Sequence, residues 1–298
     1  MYRNFREIKK RAIELGPKKV AVLFPDDSDV LRSVIDGNRK GLIHPVLIGN
    51  KNRIEKVASE NKLSLNNFEF IDQSDPQDAA NQCIELVRTN RVSFVVKGKI
   101  ITSFLYRSLI RHTQDFAPDQ VPCTLCFHQA PGIEKIFVVT DPGVNIYPDT
   151  TVKQKILNKA ITVFHHIGCR QPRVMILSAK HYGDIISAAQ KDADILSQLV
   201  VKNLDGKCRI CESRNFIEAF GNQIIDTASF PDIFLVPNID AGNILVKSID
   251  HLGGGIRQCV TIGGGIFVLT PSRSDGYSAR ITNLALGVVL SSQKLEKQ

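Results

Sequence analysis

The sequence contains no apolar run close to the ~20 residues that a membrane-spanning helix needs. It also contains no fixed-period repeat, no low-complexity tract and no recognisable zinc-finger or RNA-recognition motif. The stretch at 1–15, MYRNFREIKKRAIEL, is charged and has the spacing of an amphipathic helix rather than of a signal peptide. We therefore expect a cytoplasmic protein that binds neither a membrane nor nucleic acid.

The cysteines of this chain are not expected to form a disulfide framework. There are seven cysteines, an odd number, in a long chain with no sign of secretion. Two pairs have CxxC spacing, Cys123 with Cys126 and Cys208 with Cys211, and four thiolates could hold zinc. The pairs are far apart in the chain and the first lies in an apolar run, which favours buried thiols over a metal or redox site.

Acidic residues are outnumbered by basic ones, 30 against 38, which gives a net charge of +8. Such a balance favours anionic partners. The basic residues are scattered rather than grouped in blocks. Scattered charge suits small polyanions such as phosphate, acyl phosphate or coenzyme A.

The clearest pattern is an alternation of short apolar runs with helical periodicity over 298 residues, a length typical of two domains. The predicted strands are 18–24, 44–49, 67–72, 92–97, 123–128, 135–140, 172–178, 232–237, 258–263 and 266–270. The predicted helices are 27–41, 51–63, 75–90, 101–113, 150–168, 180–197, 240–254 and 276–294. This order predicts a layered α/β architecture with largely parallel strands, since continuous apolar strands suit a sheet covered on both faces.

A cluster of Pro, Gly and Asn at Asp141–Asp149 and a second loop at Thr270–Asp275 mark two places where the chain could cross between domains. We therefore expect a first α/β domain made of 1–145 plus 271–298 and a second α/β domain made of 146–270. Ligand sites often lie where domains meet, so a cleft between the domains is the expected site.

Four strand ends carry more polar residues than a turn requires, and ligands in α/β sheets gather beyond such ends. The first is 95–102, where Gly98 would let the backbone approach a ligand and Lys97 or Lys99 would neutralise phosphate. Thr102 follows at the start of the next predicted helix. The GxxxxGK[ST] spacing of a P-loop is absent, and a strand end with solvated lysines is the alternative interpretation.

The next two strand ends combine turn residues with hydrogen-bonding side chains. Asp141 and Asn145 could bind a ligand or fold back on the local backbone. Asn238 is a natural N-cap for a helix whose free N–H groups would face an anion. Gly242 and Asn243 fall in the first turns of that helix, where a glycine indicates close approach by another helix or by a ligand.

The fourth strand end, TPSRSDGYSAR at 270–280, combines a serine, an arginine and an aspartate. Arg273 could hold a phosphate through two parallel hydrogen bonds, and Ser272 could add a neutral donor. Asp275 could cap the following helix or take a proton. Capping alone would explain the aspartate but would not explain the arginine beside it.

In order and spacing, these motifs resemble those of the phosphate acetyl/butyryltransferase family. The resemblance rests on KG…T at 97–102, PG…K…TD…NI.PD at 131–149, VPN..AGN at 236–243 and LT.SRSD at 269–275. It extends over most of the chain and is closest to the phosphate butyryltransferase branch. It implies two α/β domains with a cleft between them, as in isocitrate and isopropylmalate dehydrogenases.

The resemblance also implies an activity, the reversible transfer of a short or branched acyl group between coenzyme A and inorganic phosphate. Such enzymes use no metal, no bound cofactor and no covalent enzyme intermediate, and a homodimer is expected. By resemblance, Arg273 would hold the phosphoryl group, Ser272 would stabilise charge on the carbonyl oxygen and Asp275 would deprotonate the thiol. The other expected substrate-binding residues are Lys97, Gly98, Thr102, Asp141, Asn145, Asn238, Gly242 and Asn243.

The sequence departs from the family pattern in three places. Cys123 and Thr124 stand where relatives have a Ser-His pair, and 211–219 reads CESRNFIEA where a Gly-Pro-Leu…Asp motif is expected. The acetyl branch has its aspartate where this chain has Ala279, so Asp275 follows the butyryl branch. The missing middle motif makes a non-catalytic relative that binds coenzyme A or acyl phosphate the main alternative.

An NAD-dependent decarboxylating dehydrogenase of similar fold is a third hypothesis. That chemistry requires a cluster of carboxylates around a divalent metal. The sequence has no DxxxD-type cluster at a strand end, which makes this hypothesis the weakest.

Overall fold

The computed structural model describes residues 2–65, 67–179, 186–203, 206–221, 229–272 and 275–292. The strands are β1 (Lys18–Leu23), β2 (Ile43–Gly49), β3 (Glu69–Asp72), β4 (Val95–Lys97), β5 (Cys123–Gln129), β6 (Phe137–Thr140), β7 (Arg173–Ile176), β8 (Arg209–Ile210), β9 (Ile233–Leu235), β10 (Ile256–Gly263) and β11 (Ile266–Leu269). The helices are α1 (Phe5–Leu15), α2 (Ser28–Arg39), α3 (Lys51–Glu60), α4 (Pro76–Arg88), α5 (Thr102–Phe116), α6 (Thr150–His166), α7 (Ala188–Asn203), α8 (Phe216–Phe220), α9 (Ile239–His251) and α10 (Tyr277–Ser291). The predicted α/β class is confirmed.

The described residues divide into two compact units. The first unit consists of Phe5–Pro122 and the chain from Gln258 onward, and the second consists of residues 2–4 and Cys123–Arg257. The units therefore change at 122 and 257, whereas the sequence pattern placed the changes at 145 and 270. The difference arises because β5 and β6 pair as antiparallel neighbours and β6 pairs with β9, which keeps 123–140 in the second unit.

In the first unit the strands lie in the order β3-β2-β1-β4-β11-β10. All neighbours are parallel except β10 and β11, which form a hairpin. The strands are apolar without alternation because both faces are covered; in β1, Val20, Ala21, Val22 and Leu23 are all fully buried. Helices α4 and α5 supply Cys83, Leu105 and Leu109 to the core cluster.

In the second unit the order is β5-β6-β9-β7-β8, with only the β5–β6 pair antiparallel. Helix α6 packs its apolar face on this sheet, and Phe127 of β5 stacks with Phe164 of α6 at 6.5 Å between ring centroids. The Asp149 side chain caps α6 by accepting the N–H of Val152 at 2.8 Å. The sequence predicted a helix start at this Pro-Asp pair, and the start is confirmed.

Two predicted helices extend into residues that lie outside the described part of the chain. These are 180–185 at the start of the helix predicted over 180–197, and 293–294 at the end of the helix predicted over 276–294. Within the ranges given above, no helix is both long enough and apolar enough to cross a membrane.

Candidate active site

Two of the predicted ligand-binding segments, 95–102 and 270–280, lie at the ends of β4 and β11 in the first unit, at the same edge of the sheet as the end of β1. β1, β4 and β11 are parallel, with Leu23 in register with Lys97 and Leu269 in register with Val96. Their carboxyl ends therefore face the same way. The chain order reverses between β1 and β4, because β2 and β3 lie on the other side of β1. Such a switch point is where open α/β sheets bind ligands.

Gly98 is required by the protein's own backbone at this switch point. A Cβ atom on Gly98 would lie 2.1 Å from the carbonyl oxygen of Phe24 and 2.5 Å from that of Leu23. The Gly98 N–H donates to the Leu23 carbonyl at 2.8 Å. Close approach was predicted here, but the approaching group is the end of β1, so the glycine is explained without a ligand.

The two lysines beside Gly98 have different surroundings. Lys97 is buried at 3% exposure, and its Nζ donates to the carbonyls of Gly98 at 3.3 Å and Ile100 at 3.4 Å. Lys99 is exposed and its Nζ lies 2.8 Å from Oδ2 of Asp27. Lys97 is therefore a buried cation at the switch point, whereas Lys99 is engaged by a carboxylate.

Asp27 anchors this ion pair at the start of α2. Its Oδ1 accepts the backbone N–H groups of Asp29 and Val30 at 3.1 and 3.3 Å. Burial opposes the charged form, but the hydrogen bond and charge of Lys99, together with the two N–H donors, hold the pKa of Asp27 below its ordinary value. Asp27 was not among the predicted site residues.

Thr102 begins α5, as the sequence predicted. The N-cap of α5 is Ile101, which makes no side-chain capping bond. The first N–H groups of a helix carry partial positive charge, so this end is favourable for an anion.

At the end of β11, Ser272 and Asp275 close a tight turn on each other. The Ser272 N–H donates to Oδ2 of Asp275 at 2.7 Å, and the Asp275 N–H donates to the Ser272 carbonyl at 3.1 Å. Helix α10 has Gly276 as its N-cap, without a side-chain capping bond. The bond between the Asp275 side chain and the Ser272 N–H therefore stabilises the turn.

Arg280, in the first turn of α10, hydrogen-bonds this turn and stabilises it. It is 7% exposed. Its Nε donates to the Asp275 carbonyl at 2.9 Å and its Nη2 donates to the Ser272 carbonyl at 3.4 Å. No role was predicted for Arg280, which lies five residues after Asp275 and bonds the carbonyl of that residue.

The buried charge of Arg280 is balanced by carboxylates from α2 and from the turn. Burial lowers the pKa of Arg280, and the charges of Asp27, Asp275 and Asp29 act in the opposite direction. A guanidinium remains protonated in proteins, so the turn is held by a permanent cation. Arg273, the predicted phosphate ligand, lies outside the described residues.

In the second unit, the Asp141 carboxylate accepts hydrogen bonds from the loop that follows it and from β5. Its Oδ1 accepts the N–H groups of Thr124, Gly143 and Val144 at 3.0, 3.0 and 3.2 Å. Its Oδ2 accepts the backbone N–H and the side-chain amide of Asn145 at 2.9 and 2.6 Å. Burial raises the pKa of Asp141, and these donors act against that shift. Loop structure thus accounts for Asp141 and for two bonds of Asn145, one from its backbone N–H and one from its side-chain amide.

The loop that follows β6 packs on the start of α9. Asn238 caps α9 by accepting the Ala241 N–H at 2.9 Å, as predicted. A Cβ on Gly242 would lie 2.8 Å from Cγ2 of Val236 and 2.9 Å from Cα of Pro142. The close neighbour that the glycine indicated is therefore the 141–145 loop, while Asn243 is exposed on the next position of the helix.

The first CxxC pair lies on a strand, and the second pair lies on either side of one. Cys123 and Cys126 are both buried in β5, and burial raises the pKa of the Cys123 thiol. Cys208 and Cys211 flank β8, and burial raises the pKa of Cys208 to about 11. Among the residues with described positions, no three His, Cys, Asp or Glu side chains are grouped as metal ligands.

Comparison with known proteins agrees with this arrangement. The family model described as phosphate acetyl/butaryl transferase matches residues 77–264. The chain is 25% identical to the phosphate butyryltransferase of Clostridium acetobutylicum over 301 residues, which cover 99% of this chain and 100% of the relative.

Two solved structures show the same fold. A phosphotransacetylase from Streptococcus pyogenes superposes with a TM-score of 0.78 at 14% identity, covering 99% of this chain and 100% of that chain. A 4-hydroxythreonine-4-phosphate dehydrogenase from Burkholderia phymatum gives 0.60 at 12% identity, covering 92% and 98%. The expected likeness to dehydrogenase folds is thus confirmed. Because the family model matches more than half of its length, the chain belongs to the phosphate acetyl/butaryl transferase family.

Proposed function

We propose that the protein is a phosphate acyltransferase that moves a short or branched acyl group between coenzyme A and inorganic phosphate. The observation that carries the proposal is the hydrogen bonding after β11, where Asp275 accepts the Ser272 N–H and Arg280 donates to the carbonyls of Ser272 and Asp275. Family membership supplies the reaction class. Preorganised polar groups are what an acyl-transfer site needs, because they stabilise charge without rearranging during the reaction.

In the direction of acyl-coenzyme A synthesis, Asp275 takes the proton from the coenzyme A thiol. The sulfur attacks the carbonyl carbon of the acyl phosphate, and a C–S bond forms. The carbonyl oxygen becomes negatively charged, and the Ser272 hydroxyl donates to it. The C–O bond to phosphate then breaks and phosphate leaves with the electron pair, held by Arg273.

The turn geometry supports these roles in a specific way. The Ser272 N–H fixes the Asp275 carboxylate at 2.7 Å, so the base has a defined orientation before substrate binds. Arg280 fixes the carbonyls at both ends of the turn. We assign Arg280 to positioning, because its guanidinium is directed at backbone carbonyls and it is almost fully buried.

Lys97 is the last residue of β4 and Thr102 begins the next helix. The strands β4 and β11 are parallel neighbours in the first unit, so their carboxyl ends lie at the same edge of the sheet. We propose that the buried ammonium of Lys97 and the uncapped start of α5 contribute positive potential for phosphate oxygens. The assignment of Asn145, Asn238 and Asn243 in the second unit to substrate binding stays a prediction.

We also propose that coenzyme A acts as a substrate rather than as a bound cofactor. We propose in addition that the protein works as a cytoplasmic homodimer, the commonest state of a soluble enzyme. Light scattering on the purified chain tests the dimer, which requires a mass of twice 33.1 kDa.

The direct test of the function is release of free thiol from butyryl-coenzyme A in phosphate buffer. We expect turnover by the wild type and a loss of about 10²-fold or more in Arg273→Ala, since one lost charged contact to the reacting group has this scale. Arg91→Ala is the matched control, because Arg91 is 63% exposed in the loop after α4. Binding of butyryl-coenzyme A without turnover would instead identify a non-catalytic relative, and equal rates in wild type and Arg273→Ala would refute the assignment.

A further inference from the structure

The sheet edge formed by β7 and β8 in the second unit carries two arginines side by side. Arg173 and Arg209 are in register on these parallel strands, so their side chains leave the same face of the sheet. Met175 lies two residues further along β7, and Cys211 directly follows β8. All four residues line a cavity of about 360 Å³, a size within the range of small-molecule sites.

The guanidinium of Arg173 has a buried donor without an acceptor among the described residues. Burial raises the pKa of the neighbouring Cys211 thiol, and the positive charge of Arg173 acts against that shift. The Nε of Arg173 is buried and has no hydrogen-bond partner in the part of the chain with described positions. A buried N–H donor without a hydrogen-bond partner is destabilising, and a ligand oxygen would supply that partner.

The positive charge of Arg209 is not paired with a carboxylate among the described residues. Its Nε donates to the neutral Oε1 of Gln171 at 3.2 Å. The ion pairs found among the described residues of this unit involve Lys135, Lys153, Arg214 and Arg257, and neither Arg173 nor Arg209. Two like charges on neighbouring positions of a sheet repel each other. An anion bound between the two arginines would attract both and offset that repulsion.

The rest of the lining suits a small organic anion. Glu212 adds one negative charge against two positive ones, and Ser213 and Ser229 add hydroxyls. Phe220 and Pro231 add an apolar wall. Phe220 is fixed by stacking on Phe230 at 5.2 Å between ring centroids.

We propose that this cavity binds a small organic anion, with a carboxylate or phosphate group held between Arg173 and Arg209 and a short apolar part against Phe220. Much of the lining comes from 211–219, the segment where the chain departs from the Gly-Pro-Leu…Asp pattern. The proposed site does not depend on the proposed transferase activity.

The test is calorimetric titration of the full chain with two probes, sodium butyrate and propyl phosphate, which separate the carboxylate from the phosphate source. Wild type should bind at least one probe, and Arg209→Met should weaken that binding by about ten- to a hundredfold, the loss expected for one charged hydrogen-bonding partner. Arg209 is exposed, so this variant should fold even if Arg173→Met does not. Arg91→Met, a substitution of an exposed arginine in the other unit, should bind as wild type does.

Binding at the proposed acyl phosphate site is separated by repeating the titration in Arg273→Ala. The proposal requires that the binding sensitive to Arg209→Met persists there. It is overturned if neither probe binds, if Arg209→Met binds as wild type does, or if Arg273→Ala alone abolishes binding.

Alkylation by iodoacetamide gives a readout at the cavity itself. Cys211 lines the cavity, whereas Cys208, on the other side of β8, does not. A saturating concentration of the bound probe should slow the labelling of Cys211 severalfold and leave that of Cys208 unchanged, as measured by peptide mass spectrometry. Equal labelling of Cys211 with and without the probe would place the binding elsewhere.

Discussion

The Asp275→Asn substitution separates the structural role of this side chain from its proposed role as a base. In the wild type the Asp275 carboxylate accepts the Ser272 N–H at 2.7 Å. An asparagine retains a carbonyl oxygen for that bond but cannot take a proton at neutral pH. Asp275→Ala removes both functions and is the matched comparison.

The magnitudes follow from this one hydrogen bond. A bond to a charged group contributes about 1.5–3 kcal/mol and a neutral one about 0.5–1.5 kcal/mol. Asp275→Asn should therefore lower the free energy of unfolding by about 1 kcal/mol. Asp275→Ala should lower it by about 2 kcal/mol, because the Ser272 N–H then loses this acceptor. Removal of a general base should lower the turnover of either variant by about 10²–10⁴-fold.

Urea unfolding gives the stabilities and thiol release from butyryl-coenzyme A gives the rates. The combination expected for Asp275→Asn is a nearly native stability with a large loss of turnover. Turnover within about threefold of wild type would show that Asp275 is not the base. A loss of stability in Asp275→Asn equal to that in Asp275→Ala would show that the turn does not depend on this bond.

Three further perturbations probe the surrounding fold. Arg280→Met should lower the free energy of unfolding by about 2–4 kcal/mol, because two partly buried carbonyls lose a charged donor. Turnover should fall as well, and Arg280→Lys, which keeps the positive charge, should restore part of both. Gly98→Ala should prevent folding or cost more than about 3 kcal/mol in urea unfolding, because its Cβ would lie 2.1 Å from the Phe24 carbonyl oxygen, and a cost under 1 kcal/mol would contradict the packing. Burial, with a smaller contribution from Arg257, lowers the pKa of His128 to about 3 from 6.5. The unfolded chain therefore binds the proton first as pH falls below 6.5, and stability should drop by about 2 kcal/mol on going to about pH 5. Circular dichroism melts at both pH values should show that His128→Phe removes this drop, and an unchanged drop in the variant would assign it to other groups.

The local pattern of the sequence was sufficient for most of the secondary structure. Runs such as KKVAVLF and HPVLIG became β1 and β2 within one residue at each end, because a strand buried on both faces must be continuously apolar. Helix starts at Asp149 and Asn238 were also predictable, since an N-cap bonds within its own turn. The elements that escaped prediction, β8 and α8, are two and five residues long, too short for a periodicity to appear.

The candidate site was only partly predictable, because several of its residues are explained by partners far away in the chain. Gly98 faces the end of β1, and Asp141 accepts the N–H of Thr124 across the β5–β6 pair. Neither partner can be predicted from the periodicity of the sequence, because the order of strands in the sheet decides which strand ends lie side by side.

The sequence alone thus determined the α/β class, the positions of the strand-end loops and the family, because these depend on local patterns and on the order of motifs. The tertiary structure decided what each polar group does. It directed the Asp275 carboxylate to Ser272 rather than to the helix, and it buried Arg280 against α2, whose carboxylates balance its charge. It also placed Arg173 beside Arg209. The physical reason is that the partner and burial of a polar side chain are set by which strands and helices pack together, and local sequence does not contain that information.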